Sequence, residues 1–168
     1  MRKAMYRRWA AGVLPVAVTD DGVMVLLGRD SRDKGGRWSD FAGGGEAVDA
    51  SPRHTALREL AEETGGALTL SLTDLDSALQ FRDRTPSGKV LHRYVATVPH
   101  DPGLPAKFTG AKDGEKTALA WFPLASPPPL RRVFESQLRR DAPAIERFAR
   151  GVRGADRAGP ELLTCIDG

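Results

Sequence analysis

A single cysteine, Cys165, stands in a chain of 168 residues, which leaves no second thiol for an internal disulfide or a cysteine-built zinc site. Near the C-terminus it reads as an incidental small residue rather than a nucleophile, and a reducing compartment, the cytoplasm, is the simplest home for such a chain. Histidine is scarce too: His54, His92 and His100 are the only three, and no two are spaced as a metal pair. No apolar run approaches the length of a membrane span, so no membrane partner is expected. The start, Met1-Arg2-Lys3 through Arg7-Arg8 and then Ala10 to Val18, faintly imitates a signal peptide. Gly12 and Pro15 interrupt that run and no cleavage site follows, so export is not expected. Blocks of like charge are missing as well. The net charge of +3 and pI near 9.3 come from scattered arginine, which suits a phosphate-bearing ligand and calls for no nucleic-acid partner. There is no internal repeat.

What is present is ordinary globular material, 40% apolar and 28% charged. The length suits one domain with a proper core, read here as residues 1–150, followed by a loosely packed tail over 151–168 that is rich in Gly, Arg and Pro.

The most informative stretch is Gly44 to Gly65. Phe41-Ala42-Gly43-Gly44-Gly45 reads as a tight glycine loop that leads to a helix beginning near Ser51-Pro52. Ser51 can accept a hydrogen bond from an orphan amide, and Pro52 suits the first helical position. Thr64-Gly65-Gly66 supplies the stop. At about 100° per residue, Leu57, Leu60, Ala61 and Thr64 share an apolar face, while Glu59, Glu62 and Glu63 gather on another. On its own, such an acidic face is solvated, with Arg58 and Glu62 as an ordinary i,i+4 pair. Carboxylates so close together repel unless cations sit among them, and hard divalent cations with oxygen ligands are the natural occupants.

Gly44, Arg58-Glu59-Leu60, Glu62-Glu63 and Gly65 together resemble the Nudix box. That pattern is a Gly, five residues, a Glu, seven residues, then Arg-Glu-aliphatic-any-Glu-Glu-any-Gly-aliphatic. Two positions depart from it: Ala50 stands where the first Glu belongs and Gly66 where an aliphatic residue belongs. Asp49, one residue early, can take over the missing carboxylate if the loop shifts into a Gly43-x5-Asp49 register. In the family that first Glu mostly supports the Arg and the site, while the later glutamates hold the metal.

The resemblance implies an α/β fold, the Nudix α/β/α sandwich with a mixed β-sheet, over most of residues 10 to 150. Around the box, Ala11 to Val18 and Val23 to Leu27 read as a hairpin, and a polar loop from Gly28 to Arg37 delivers Trp38-Ser39-Asp40-Phe41. Leu68 to Leu72 alternates as a half-buried strand does, Thr73-Asp74 reads as a break, and Ser77 to Phe81 continues the sheet. A turn over Arg82 to Lys89 then leads to a strand over Val90 to Val98, with His92, Tyr94 and Ala96 on one side. Pro99 to Pro105 is a loop long enough to serve as a lid or as a passive connection. Thr117 to Leu124 is a strand, Ser126 to Pro129 a stiff connector, and Leu130 to Arg140 a helix. Pro143 interrupts that helix, and Ala144 to Arg150 makes a second short one.

Nudix resemblance further implies a metal-dependent pyrophosphohydrolase acting on the diphosphate of a nucleoside diphosphate linked to another group. Its cofactor would be Mg²⁺ or Mn²⁺, held by Glu59, Glu62 and Glu63, with Arg58 orienting Glu59. Glu115, shortly before an aliphatic-x-Trp-aromatic-Pro-Leu phrase, matches a family Glu that reaches the site; it and Glu62 are both candidates to deprotonate the attacking water. Arg29, Arg32 and Arg37 are candidates to hold substrate phosphates, and the Gly43 and Gly44 backbone to shape the site. Trp38, Phe81 and Tyr94 can stack on a base but read first as core. The partner is then a nucleotide or other diphosphate-containing small molecule, and the resemblance allows a homodimer. Two rivals stay open on the same fold: a nucleotide-binding or regulatory module with weak or no hydrolysis, and an isoprenoid diphosphate isomerase, which would need a cysteine near the site.

Overall fold

The computed structural model describes residues 6–157, with side chains described as far as Gly151. Strands β1 (Trp9–Thr19) and β2 (Gly22–Asp30) form the expected hairpin, closed by the two-residue turn Asp20-Asp21, and Gly22 follows at φ +124°. β3 (Trp38–Ser39) and β4 (Phe41–Gly44) lead to helix α1 (Pro52–Glu63), which is followed by the short helix α2 (Leu72–Asp76). β5 (Leu79–Arg84), β6 (Val90–Thr97), β7 (Lys116–Pro123) and helix α3 (Arg132–Arg157) follow among the described residues.

The sheet has seven strands in the order β3-β2-β1-β6-β5, with β4 also paired to β1 and β7 to β2. It is mixed: β1 and β6 run parallel, and the other pairs are antiparallel. β1, rich in Val and Ala, is buried along nearly its whole length because both faces of the sheet are covered. On one face Ala11, Val13, Leu26 and Phe41 pack against Ala56 and Leu60 of α1. On the other, Leu14, Val16, Val25 and Val95 pack against Phe134, Leu138, Ile145 and Ala149 of α3. The strand period of two thus feeds two separate cores. Among the described residues no helix is long and apolar enough to cross a membrane.

Several boundaries differ from the sequence reading, each for a local reason. Leu68 to Leu72 is not a strand. Ser71 caps α2 in a reciprocal box with Asp74, so the supposed break at Thr73-Asp74 is helix, and Leu75 drops into the core. β5 begins at Leu79 rather than Ser77 and runs on to Arg84, which confines the turn to the residues before Lys89. Pro143 does not interrupt α3. It forgoes one backbone hydrogen bond, but Leu138, Ala142, Ile145 and Ala149 keep one apolar stripe in phase across it. The same helix continues past Gly151 to Arg157, while the rest of the expected tail, Cys165 included, lies outside the described residues. The Pro99 to Pro105 loop is pinned as a connection, with Leu104 buried and Trp121 Nε1 donating to Asp101 O at 2.9 Å.

Candidate active site

Helix α1 starts as expected with Pro52 in its first turn, but Ser51 does not cap it with its side chain. Its hydroxyl lies 2.8 Å from His54 Nδ1 instead. The order at this end comes from Asp49. One of its oxygens accepts from the Glu46 amide at 2.9 Å and from Thr55 Oγ1 at 2.8 Å, while Arg58 grips the carboxylate through Nε at 3.0 Å and Nη2 at 2.9 Å. Burial alone would raise the Asp49 pKa; the bonds from Arg58, the Glu46 amide and Thr55 outweigh it and hold the group at about 2. Asp49 is therefore the carboxylate that partners the Arg, one residue before the exposed Ala50. Ala50→Glu is expected to alter stability by less than ~0.5 kcal/mol, as a solvent-facing change does, when checked by thermal unfolding.

Arg58 is the hub of the helix. Besides Asp49 it bonds Gly44 O at 3.0 Å, Glu59 Oε1 at 3.1 Å and Glu62 Oε2 at 3.1 Å. Burial acts against its charge, but Asp49, Glu59 and Glu62 together push its pKa further up, so it is a permanent cation. The i,i+4 pair with Glu62 is thus real, as one arm of a four-way clamp. At the helix C-terminus Gly65 and Gly66 take φ of +60° and +78°, and the Gly66 amide returns to Ala61 O at 2.8 Å. Left-handed backbone explains a glycine at position 66 where the box pattern has an aliphatic residue.

The helix faces are more mixed than the periodicity implies. Ala56 and Leu60 are fully buried, whereas Ala61 is only partly so, and Glu59 and Glu63 are just 7% and 6% exposed. These two glutamates meet Glu115 in a cluster in which one carboxylate oxygen from each lies within 4.8 Å of the others. Glu115 arrives from the far end of the sequence. Its carbonyl accepts the Ser31 amide, and a register shift where β2 pairs β7 sets Lys116 opposite Asp30. Glu62 is not in the cluster; it sits at the rim between Arg58 and Lys112, whose Nζ is 3.2 Å away. The exposed Lys34 reaches Glu115 at 3.4 Å.

Burial pushes Glu59 up to about 7, with Arg58 opposing and Glu62 and Glu115 adding to the rise. Burial likewise raises Glu63 far above the ordinary carboxylate range, against the pull of Lys116. Glu63 Oε2 is buried without a hydrogen-bond partner. A buried carboxylate oxygen that accepts no hydrogen bond, in an all-oxygen donor set, is what a hard divalent cation fits, and Glu59, Glu63 and Glu115 would hold it.

A pH dependence follows from the same burial. With folded pKa values above the unfolded one, the two glutamates contribute stability that is present at low pH and lost as pH rises through about 7 and beyond. A divalent cation must displace their protons, so Mn²⁺ affinity and the Mn²⁺-induced rise in melting temperature are both expected to grow from about pH 6 to about pH 8. Calorimetry in two buffers of different ionisation enthalpy reads the released protons; an affinity flat across this range would count against the cluster as the binding site.

Gly43 is required for a steric reason: a Cβ there would run into the Glu59 carboxylate. Gly43→Ala is expected to displace Glu59 and lower turnover at least ~10-fold in a steady-state assay with the fold retained by circular dichroism, a small misplacement being that costly at a reacting centre. Arg29 and Arg37, by contrast, are not brought to the carboxylates. Arg29 shares the strand face of Val25 and Leu27, away from α1, and donates to Gly36 O at 3.0 Å; Arg37 donates to Leu130 O at 3.3 Å. Besides Arg58, the cations that approach the carboxylates among the described residues are Lys34, Lys112 and Lys116. Lys116, 1% exposed, bonds Asp30 at 2.7 Å and Ser39 at 2.6 Å, and stands 3.8 Å from Glu63. Sequence reasoning passed over Asp30 and Lys116; the available signal was a charged residue at the end of each of two apolar strands.

On the α3 face a cleft of about 330 Å³ opens between the sheet and the start of α3, and Gly43 and Gly44 form part of its wall. Lys89 stands at this edge, its Nζ 3.2 Å from where a Gly44 Cβ would be. Gly43 thus separates the cleft from Glu59.

The fold and this box together define a class, and a family model for the NUDIX domain matches residues 6–142. The chain belongs to the Nudix family. Solved structures agree at the level of fold. The NUDIX domain of Shewanella oneidensis NrtR, complexed with ADP ribose, is 18% identical, with 86% of this chain and 90% of that one covered at a TM-score of 0.60. The Nudix hydrolase RenU of M. smegmatis is 18% identical over 83% and 88% of the two chains, TM-score 0.58. A mutT/nudix family protein of Listeria innocua is 22% identical over 86% and 96%, TM-score 0.55. Among curated proteins no sequence match is found.

Proposed function

We propose that the chain is a divalent-cation-dependent hydrolase that cleaves the diphosphate linkage of a nucleoside diphosphate joined to another group. The observation that carries this reading is the buried Glu63 Oε2, without a hydrogen bond and 3.8 Å from Lys116, within the Glu59, Glu63 and Glu115 cluster. Mg²⁺ or Mn²⁺ bound there would neutralise diphosphate oxygens and make water easier to ionise. Arg58 fixes Glu59 by a charge-assisted bond and is itself fixed by Asp49, so the carboxylates are organised before substrate arrives. Glu115 is the better candidate base. It belongs to the cluster and is half-exposed, whereas both Glu62 oxygens are held, by Arg58 and Lys112. It would take the proton of the attacking water as that water's oxygen bonds to phosphorus and the bridging oxygen leaves with its electron pair. Lys34, Lys89 and Lys112 border the path of a polyanion, in place of the arginines expected from the sequence, and the α3-face cleft would receive the group carried on the diphosphate. The ADP ribose held by the similar NrtR domain is one compound of this class. The rival reading as a non-hydrolytic module rested on Ala50; the Arg58–Asp49 pair supports the hydrolase reading against it.

The test is to incubate the protein with nucleoside triphosphates, nucleotide sugars, ADP-ribose and dinucleotides, with Mg²⁺, Mn²⁺ or a chelator, and to separate the products by chromatography. Cation-dependent cleavage at a diphosphate is expected for at least one compound. Cleavage of none, by folded protein that binds Mn²⁺, would return the weight to the binding-module reading.

A further inference from the structure

We propose that Gln137 selects the group attached to the diphosphate, by accepting a hydrogen bond from an N–H donor of a nucleobase seated in the α3-face cleft; this rests on the function proposed above. Gln137 is 7% exposed, lines the cleft, and its Oε1 is buried with no hydrogen-bond partner. A buried amide oxygen left unpaired is costly to the fold, a penalty that a ligand donor would remove. Asp40 is committed to Arg93 at 2.6 Å and Arg131 to Asp30 at 2.8 Å; the exposed Arg84 and Ser87, with Thr85 and Lys89, also line the cleft.

The surroundings narrow the class of ligand. Ala42 and Leu91 of the sheet face Val133 and Phe134 of α3 across the cleft. Val133 is 43% exposed, although its neighbour Phe134 is buried, so an apolar side chain is left open at the cleft itself. A flat group fits between a sheet and a helix with its edge turned to one acceptor. Phosphate and ribose oxygens would find partners in Arg84, Thr85, Ser87 and Lys89, whereas the Gln137 oxygen calls for a donor and repels a phosphate oxygen. A nucleobase bearing an amino or imide N–H meets both demands, and about 330 Å³ is room enough for one. A site built around such a bond discriminates strongly, since any ligand without the donor leaves the acceptor unpaired.

The test is calorimetry with Mg²⁺ and the α,β-methylene analogues of ADP, GDP, CDP and UDP, in which no phosphoanhydride can be cut, against methylene diphosphonate, which has no base. Wild-type protein is expected to bind at least one nucleoside analogue about 10-fold or more tighter than methylene diphosphonate. Gln137→Met, similar in shape and without the acceptor, should lose about 10-fold of that margin and leave methylene diphosphonate binding unchanged. Gln137→Glu retains an acceptor oxygen and should keep the margin even if its charge weakens every ligand; it also serves if the Met variant fails to fold. The inference is overturned if wild-type protein shows no margin, if Gln137→Met keeps it, or if both ligand types weaken in step. Hydrolysis is read separately from product formation, so failure here leaves the catalytic proposal standing, and the converse holds too.

Discussion

Glu63→Gln is expected to reduce cation-dependent turnover by at least ~10³-fold while leaving the metal-free protein as stable as wild type or more so. The two halves have one cause. Glu63 is 6% exposed, its Oε2 has no hydrogen-bond partner, and burial drives its pKa upward. Such a carboxylate is a burden to the fold alone, and glutamine relieves it while removing the anionic ligand. An ordinary structural ion pair would behave in the opposite way, since removing one partner of a buried pair typically costs ~3–5 kcal/mol. Lys116 stays satisfied in the variant by Asp30 and Ser39. Melting curves with Mn²⁺ and with a chelator, beside a turnover assay, read both halves. A variant that loses the Mn²⁺-induced stabilisation and keeps its chelated melting temperature matches expectation. One that turns over at the wild-type rate excludes Glu63 from the machinery.

Asp49→Ala carries the largest expected loss of stability, about 3 kcal/mol. Asp49 is 3% exposed and accepts from Arg58, Thr55 and the Glu46 amide, so its removal strips the half-buried guanidinium of its closest anion and opens the loop before α1. Linkage gives a similar size. A carboxyl lowered from 3.8 to about 2 contributes ~2–3 kcal/mol that is present above pH 3.8 and fades as pH falls through about 2. Acid unfolding of wild-type protein should therefore contain a Asp49-dependent component at the low end that is missing in Asp49→Asn. Activity should fall as well, because Arg58 also holds Glu59 and Glu62. Denaturant titration measures the loss; a change below ~1 kcal/mol would mean that Arg58 is adequately held by the other carboxylates and that the shifted register is incidental.

How much of this was legible in the chain depends on how local the causes are. The box helix, the hairpin and the long strands rest on spacing within one segment, and the structure has them where the spacing puts them. Leu68 to Leu72 misleads because five alternating residues read the same in a strand and in a loop entering a helix; the Ser71-Asp74 box was the better signal. Pro143 misleads because a breaker outweighs an apolar stripe only when tertiary packing does not hold the stripe, and here α3 lies along the sheet. Within the site, Arg58, Glu59, Glu63 and Glu115 are brought together as the Nudix resemblance implies. The arginines of the β2 loop are not, because strand phase turns Arg29 to the other face. Gln137 has no signal at all in the sequence: its exposure to the cleft arises from how α3 meets β6, which no window along the chain contains.

The central claim is that Glu59, Glu63 and Glu115 hold a cation at which a diphosphate is cut by water. Phosphorus NMR of turnover in ¹⁸O-labelled water tests it most directly, run on the best substrate of the panel with Mg²⁺ and again with a chelator. Expected are two products that each end in a terminal phosphate or pyrophosphate group, one carrying the isotope shift of a single new ¹⁸O, formed with Mg²⁺ and absent with the chelator. Products that form equally in the chelator, or that contain no solvent oxygen, would contradict it.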